Sequence, residues 1–170
     1  MPKPPPQHSP KAPALPPSAA ALLAAHNAFR AAHHAQPLVW EPALAAGAQA
    51  WANACAFAHS SPPRDAGGAA YGESLFTSAP KAADYAALGR AAATAWYDEA
   101  AKYDYGLATL TPGTAHFTQL VWKGTTRLGC GVTTDCGGVR GASAQANFVV
   151  CRYAPPGNVY GQFEANVLPA

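Results

Sequence analysis

The chain has 170 residues, of which 49% are hydrophobic and only 12% are charged. This length and composition suit one domain with a sizeable core, and a second domain is not expected. The formal net charge is only +2, and lysines and arginines do not cluster among aromatic residues, which excludes the usual basis for nucleic-acid binding. No apolar run reaches the roughly 18 residues of a membrane-spanning helix, so we expect no transmembrane segment.

The first 17 residues form a proline-rich segment. They hold eight of the 17 prolines, two lysines and no acidic residue. Prolines at this density disfavour a helix, so residues 1–17 are predicted to be an extended arm and residues 18–170 the folded domain. The arm is either a plain spacer or a proline-rich ligand for an aromatic groove. It lacks the regions of a signal peptide, so secretion must be argued from other residues.

Two helices are predicted after the arm. The first begins at a Ser18 cap and runs to about His34, with apolar residues at helical spacing. A short extended piece follows at residues 38–40. The second helix runs toward Phe57 and opens at residues 41–42, where a proline in the first turn costs little.

The rest of the chain is predicted to contain a loop at residues 60–70, a short buried segment at 71–76 and a helix from about residue 82 to 103. Three strands joined by Gly-rich and Pro-Pro-Gly turns are predicted at residues 128–135, 145–154 and 159–167. Helices followed by an antiparallel sheet indicate an α+β fold.

Four cysteines lie in an otherwise ordinary composition. Their even number, and the lack of the Cys-x-x-Cys spacing of a zinc ribbon, favour disulfides over a metal site and hence an oxidising compartment. The sequence alone leaves three pairings open for Cys55, Cys130, Cys136 and Cys151.

Two histidines and two glutamates, His59, Glu73, Glu99 and His116, come from four separate segments with apolar neighbours. Ionisable side chains are rarely buried without a partner or a metal, so we predict that these four share a polar cavity. One interpretation is a self-satisfied polar network. The other places a divalent ion on the neutral imidazoles, with the carboxylates orienting bound water or the imidazole N–H groups.

A hydrolase is a weaker interpretation of the same residues. Ser60 and Ser74 adjoin the cavity residues but lie outside any Gly-x-Ser-x-Gly elbow, and the cysteines are expected to be oxidised. Two histidines without a third strong ligand also form an incomplete catalytic zinc site. We therefore assign no catalytic residue and favour a metal-capable cavity.

Six ordered motifs carry a resemblance to a known family. They are His59-Ser60, Tyr71-Gly72-Glu73-Ser74-Leu75, Ala95-Trp96-Tyr97-Asp98-Glu99, His116-Phe117-Thr118-Gln119-Leu120-Val121-Trp122, Gly129-Cys130-Gly131 and Cys151-Arg152-Tyr153-Ala154-Pro155-Pro156-Gly157-Asn158. From about His26 to its C-terminus, the chain resembles the CAP superfamily of cysteine-rich secretory proteins, antigen 5 and plant pathogenesis-related class 1 proteins. Residues 161–169 look most like those of fungal sterol-binding secreted members.

The resemblance implies a three-layer α-β-α sandwich with a central antiparallel sheet, in a secreted protein that we expect to be monomeric. It pairs Cys55 with Cys136 and Cys130 with Cys151. The two histidines and two glutamates match positions at which some relatives hold zinc or magnesium.

A lipid-binding surface is also implied. In the sterol-binding relatives the loop after the Gly-Glu motif supplies the apolar contacts, and apolar side chains with few charges suit a sterol or a fatty acid. Here that surface maps to Leu75, Phe76, Thr77, Ser78, Ala79, Pro80 and Tyr85.

Two other functions stay open. The segment from Ala154 to Asn158 resembles the one from which plant relatives release an immune peptide, which would make the chain a signalling or defence protein. A metal-dependent hydrolase is the other alternative.

Overall fold

The computed structural model describes residues 14–137 and 145–170, so most of the predicted arm lies outside the described residues. Helix α1 spans Pro17–Ala32 and begins one residue before the predicted cap. Its N-cap residue is Pro16, and no side chain caps it, so the expected role of Ser18 is wrong. Pro17 takes the first helical position because its fixed φ suits a helix and no hydrogen bond to its nitrogen is needed there.

Strand β1 (Val39–Trp40) leads into helix α2 (Pro42–Asn53), whose first turn is capped by the Glu41 side chain. The helix ends four residues before the predicted end at Phe57. Cys55 and Phe57 have φ angles of 52° and 49°, a left-handed conformation that cannot continue an α-helix. This turn places Cys55 against Cys136.

The predicted helix over residues 82–103 is two elements. Helix α3 (Tyr85–Tyr97) is capped by Asp84, and a 3₁₀ turn (Asp98–Lys102) follows it. Helix α4 spans Ala115–Val121. The tighter 3₁₀ turn is what directs Glu99 toward the start of α4.

The sheet consists of β1, β2 (Gly72–Ser78), β3 (Arg127–Cys136) and β4 (Ala146–Ala154), in the order β1-β3-β4-β2. The long strands pair antiparallel, as predicted, but β1 pairs parallel with β3, so the sheet is mixed.

The prediction of a third strand at residues 159–167 is wrong. This segment is a turn followed by the short helix α5 (Phe163–Asn166). Phe163 and Val167 are both buried, and their four-residue separation is a helical spacing.

The predicted α+β sandwich is confirmed by helices on both faces of this sheet. On one face α2 lies so close that a Cβ atom at Gly129 or Gly131 would come within 2.2 or 2.3 Å of its backbone. On the other face α1, α3 and α4 enclose a core around Leu22, Trp96 and Phe117.

Two disulfides are present, with the pairing that the resemblance implied, and one of them ties the α2 layer to the sheet. Cys55–Cys136 joins the end of α2 to the end of β3, and Cys130–Cys151 joins register partners on β3 and β4. Within the described residues, no helix has the length and hydropathy needed to cross a membrane.

Candidate functional site

Glu73 lies on the edge strand β2, directly opposite Arg152 on β4. The Arg152 Nε–H donates to Glu73 Oε2 over 3.0 Å, and the two side chains are only 9% and 4% exposed. The guanidinium also lies 4.3 Å from the centre of the Tyr71 ring. A buried carboxylate is therefore matched by a buried cation from the neighbouring strand.

The loop after α2 completes the shell of Glu73. The backbone N–H and the hydroxyl of Ser60 donate to its two oxygens at 2.9 and 2.8 Å, and His59 Nδ1 donates at 3.1 Å. Burial by itself would raise the pKa of Glu73, but the hydrogen bonds from Ser60, His59 and Arg152 outweigh burial and hold this pKa below its ordinary value.

His59 is largely exposed, with 61% of its side chain accessible. The only ionic partner that the structure gives His59 among the described residues is Glu73.

The second pair joins Glu99 and His116. Glu99 Oε1 accepts a hydrogen bond from His116 Nδ1 at 2.7 Å, while Oε2 accepts the backbone N–H groups of His116 and Phe117 at 2.9 and 3.1 Å. Glu99 thus caps α4, whose own N-cap residue, Thr114, makes no side-chain cap. The His116 ring stacks on Trp96 at 6.1 Å.

The electrostatics of Glu99 resemble those of Glu73. Burial would raise the pKa of Glu99, but the hydrogen bond and charge of His116 and the two backbone N–H groups lower it below its ordinary value. Both glutamates are therefore ionised near neutral pH, and each orients one imidazole.

The four predicted cavity residues thus form two Glu–His pairs. In both pairs Nδ1 is the nitrogen that faces the carboxylate, which leaves Nε2 to accept a ligand. Over residues 14–137 and 145–170, no group of three or more His, Cys, Asp or Glu side chains is arranged to hold a metal ion.

Several contacts of the candidate site could not be predicted from the sequence. Arg152 and Ser60 lie within the motifs, but the motifs do not show that both donate hydrogen bonds to Glu73. Gln119 was missed as well: it is buried, its side-chain oxygen accepts the Gly157 N–H at 2.8 Å, and a Cβ at Gly72 would lie 2.0 Å from that oxygen. Gly72 of the Tyr-Gly-Glu motif and Gly157 of the Pro-Pro-Gly-Asn motif therefore both leave space for the Gln119 side chain. The two glycines are the sequence signal from which this contact could have been predicted.

The predicted lipid-contact residues do not all share one face. Leu75 packs with Trp51 and Phe57 on the α2 side of the sheet, whereas Phe76 packs against the core on the side of α1 and α3. Successive residues of a strand point to opposite faces, so Leu75 and Phe76 cannot contact one ligand from the same face. The exposed members are Thr77, Ala79, Pro80 and Tyr85.

Asn147, a buried residue of β4, holds the loop that carries these exposed residues. Its amide nitrogen donates to the Ser78 carbonyl, the Ser78 hydroxyl and the Pro80 carbonyl, and its oxygen accepts the Ala82 N–H at 2.8 Å. Two further contacts join this region to β3: Lys81 forms an ion pair with Asp135, and the Tyr85 hydroxyl is hydrogen-bonded to the Thr134 hydroxyl at 3.0 Å. The β2–α3 loop, residues 79–84, is therefore fixed to strands β3 and β4.

The segment at which a C-terminal peptide would be released, residues 154–158, and the residues on both sides of it are held by burial and hydrogen bonds. Tyr153 is fully buried in β4, Thr118 and the Ala115 carbonyl hold Asn158, and His33 Nδ1 donates to the Leu168 carbonyl at 2.6 Å. Release of a C-terminal peptide would remove buried Phe163 from the core.

A sequence profile described as "CAP: Cysteine-rich secretory protein family" matches residues 23–153. The chain is 38% identical over 149 residues to Protein PRY2 of Saccharomyces cerevisiae, covering 85% of this chain but 39% of that protein. It therefore spans about two fifths of this relative. The chain is also 38% identical over 154 residues to Golgi-associated plant pathogenesis-related protein 1 of Homo sapiens, covering 87% of this chain and 90% of that protein.

A solved structure, that of NaASP2 with Zn2+, superposes with a TM-score of 0.71 at 27% identity, covering 90% of this chain and 87% of the other. The structure of BmVAL-1 superposes with a TM-score of 0.65 at 24% identity, covering 90% and 84% of the two chains. Both likenesses support the three-layer architecture.

Proposed function

Because this chain belongs to the cysteine-rich secretory protein (CAP) family, we propose that it is a secreted protein that binds a sterol or a fatty acid. The binding surface is the stretch from Phe76 at the end of β2, across the β2–α3 loop, to Tyr85 at the start of α3.

The observation that carries this proposal is that the surface is apolar and its charges are engaged. Ala79 and Pro80 are exposed, and Tyr85 is 41% exposed with its hydroxyl already bonded to Thr134. Lys81 is paired with Asp135, and the Asp84 carboxylate accepts the Ala87 N–H at the start of α3. A rigid apolar ligand that contacts Ala79, Pro80 and the Tyr85 ring therefore has to bury no charge.

The apolar area that such a ligand must bury for micromolar binding is modest. At roughly 25 cal/mol per Å² of apolar area, micromolar affinity requires a net burial of about 330 Å², before the cost of association. A loop held in place by Asn147 lowers that cost because little of it must be ordered on binding.

The experiment is retention of radiolabelled cholesterol by purified protein. We expect Phe76→Asp and Ala79→Asp to lower retention at least tenfold, while His116→Ala retains it. Tyr160→Asp is the matched control, because Tyr160 is 77% exposed and outside the surface. Ala79 is exposed, so its variant should fold; equal losses in the Ala79, His116 and Tyr160 variants would contradict the proposal.

Secretion is supported by the two disulfides, which form and persist in oxidising compartments. We expect the protein in the culture medium, with no free thiol. Protein retained inside the cell with its four cysteines as free thiols would argue against this localisation.

A divalent metal, zinc or magnesium, is a secondary part of the proposal. Imidazoles oriented by carboxylates are the arrangement found around protein-bound zinc, so His59 and His116 are the candidate ligands through Nε2, with Glu73 and Glu99 behind them. The donor chemistry fits a metal, but the grouping does not make a closed three- or four-ligand site in the described residues. We therefore expect weak binding that water ligands complete, measured by zinc calorimetry and lost in His59→Ala and His116→Ala.

A further inference from the structure

One edge of strand β3 loses its partner strand beside helix α2. β1 is only two residues long, and just after it the Glu41 N–H donates to the Leu128 carbonyl over 2.8 Å. Further along β3, the side chain of Gln49 on α2 takes the place of a strand: it donates to the Val132 carbonyl and accepts the Val132 N–H, both at 2.9 Å. The edge between these two positions is open.

The backbone of Cys130 lies in this opening. Backbone groups of alternate residues of a strand point to the same edge, so Cys130 directs its N–H and C=O the same way as Leu128 and Val132. Its Cα lies 4.1 Å from that of Cys151, which is the short spacing of a cross-strand pair that exchanges no backbone hydrogen bond. Within residues 14–137 and 145–170, neither backbone group of Cys130 has a hydrogen-bond partner, although the residue is only 7% exposed.

A buried donor and acceptor side by side on a strand edge are the groups with which a peptide backbone pairs. They lie at a cleft of about 300 Å³ between the first turn of α1, helix α2 and β3, which is lined by Trp40, Ala45 and Ala46 among others. Among the described residues of this lining none has a side chain that ionises, since Cys130 is held in a disulfide. An occupant therefore meets one pair of backbone groups within an apolar and aromatic surface.

The proline-rich arm joins the domain at this cleft. Pro16 lines it, and its φ of −54° and ψ of 151° are those of polyproline II. Extended proline-rich segments dock in grooves lined by aromatic side chains, and Trp40 supplies such a wall. Residues 1–13 contain six prolines, yet five of the six residues from 7 to 12 keep a backbone N–H that can donate to Cys130. Because the arm is tethered beside the cleft, its effective concentration there is high.

We propose that this cleft is a peptide-binding groove and that its occupant is the arm of the same chain, residues 1–13. One arm carbonyl accepts the Cys130 N–H, one arm N–H donates to the Cys130 carbonyl, and prolines contact Trp40. The arm thereby covers a strand edge that is otherwise open to pairing with other chains. The cleft shares no residue with the surface from Phe76 to Tyr85, so this binding does not depend on the proposed lipid site.

Photo-crosslinking in the full chain locates the arm. With p-benzoylphenylalanine in place of Gln7, irradiation should join residue 7 to peptides that contain the cleft-lining residues of α2 or β3. A mixture of isotope-labelled and unlabelled protein separates the two possible sources of the arm. Crosslinks within one copy support the proposal, whereas crosslinks between copies would overturn it in favour of a second molecule. Crosslinks confined to other segments, or no crosslink, would also overturn it.

Two substitutions on α2 provide a matched control through proteolysis. The bond from Lys11 to Ala12 is the only one in the arm that trypsin cleaves, because a proline follows Lys3. Ala46 and Ala50 are both exposed, but only Ala46 lines the cleft. Ala46→Trp fills the cleft and should speed this cleavage about fivefold, while Ala50→Trp should change it less than about twofold. Equal cleavage rates in both variants and the unmodified chain would contradict binding of the arm in the cleft.

Discussion

Glu73 and Arg152 are cross-strand partners, and the Arg152 Nε lies 3.0 Å from Glu73 Oε2 in a nearly buried ion pair. Since Ser60 and His59 also donate to Glu73, this carboxylate connects the loop after α2 to two strands of the sheet. The pair is therefore a structural centre of the candidate site as well as the support of one imidazole.

Removing one member of this pair should destabilise the fold strongly. We expect Arg152→Met to lower the free energy of unfolding by about 3–5 kcal/mol, because it leaves a buried carboxylate without its cation. The double variant Glu73→Leu/Arg152→Met should lose less than the sum of the two single changes, by about 1–3 kcal/mol. Urea denaturation of all four proteins measures this coupling, and strictly additive losses would show that the pair does not act as a unit.

His26 makes stability depend on acid pH. It is fully buried, donates from Nδ1 to the Leu22 carbonyl and accepts the Tyr153 hydroxyl, and burial lowers its pKa from 6.5 to about 4. The unfolded state binds the extra proton first, so stability is full above pH 6.5 and falls by about 3 kcal/mol as the pH drops from 6.5 to 4.

From about pH 4.5 downward, the depressed pKa values of Glu73 and Glu99 add to the loss, as the pH falls toward and through their folded-state values. His26→Gln, measured by chemical denaturation at several pH values, should flatten the slope between pH 6.5 and 4 only. An unchanged slope in this variant would assign the acid sensitivity to other groups.

Arg30 should tolerate no replacement. Its buried guanidinium donates to the carbonyls of Gln36, Leu120, Trp122 and Thr125 at 2.8 to 2.9 Å, and so caps the C-terminal end of α4. Burial lowers its pKa to about 10, which leaves it charged at neutral pH. Arg30→Lys should cost about 2–4 kcal/mol, because an ammonium has only three donors and lacks the fork geometry. A thermal-melt loss of less than 2 °C would contradict this assignment.

The two disulfides should differ in their contribution. The bridge from Cys55 to Cys136 closes a separation of 81 residues, and the bridge from Cys130 to Cys151 one of 21. Chain entropy predicts a stabilisation of about 4.5 kcal/mol for the first and about 3.3 kcal/mol for the second. Paired Cys→Ala variants, unfolded in urea, test the order; the reverse order would indicate that lost packing of the buried half-cystines dominates.

Much of the fold could be predicted locally, and the errors have physical causes. Pro42 and the apolar run of β4 mark their elements by themselves. The spacing of Phe163 and Val167, by contrast, suits a short helix, although a strand is predicted there. The partner of Glu73 could not be found locally, because strand register brings Arg152 to it from 79 positions away. Leu75 and Phe76 are adjacent in sequence, and only the position of β2 in the sheet shows that they face different layers.

If the surface from Phe76 to Tyr85 holds an apolar ligand, a photoactivatable sterol analogue bound there should crosslink to it. Mass spectrometry of the labelled peptides then locates the contact. We predict that the label lies within residues 76–85 and that excess cholesterol displaces it. Label confined to other segments, or incorporation that cholesterol does not reduce, would contradict the claim.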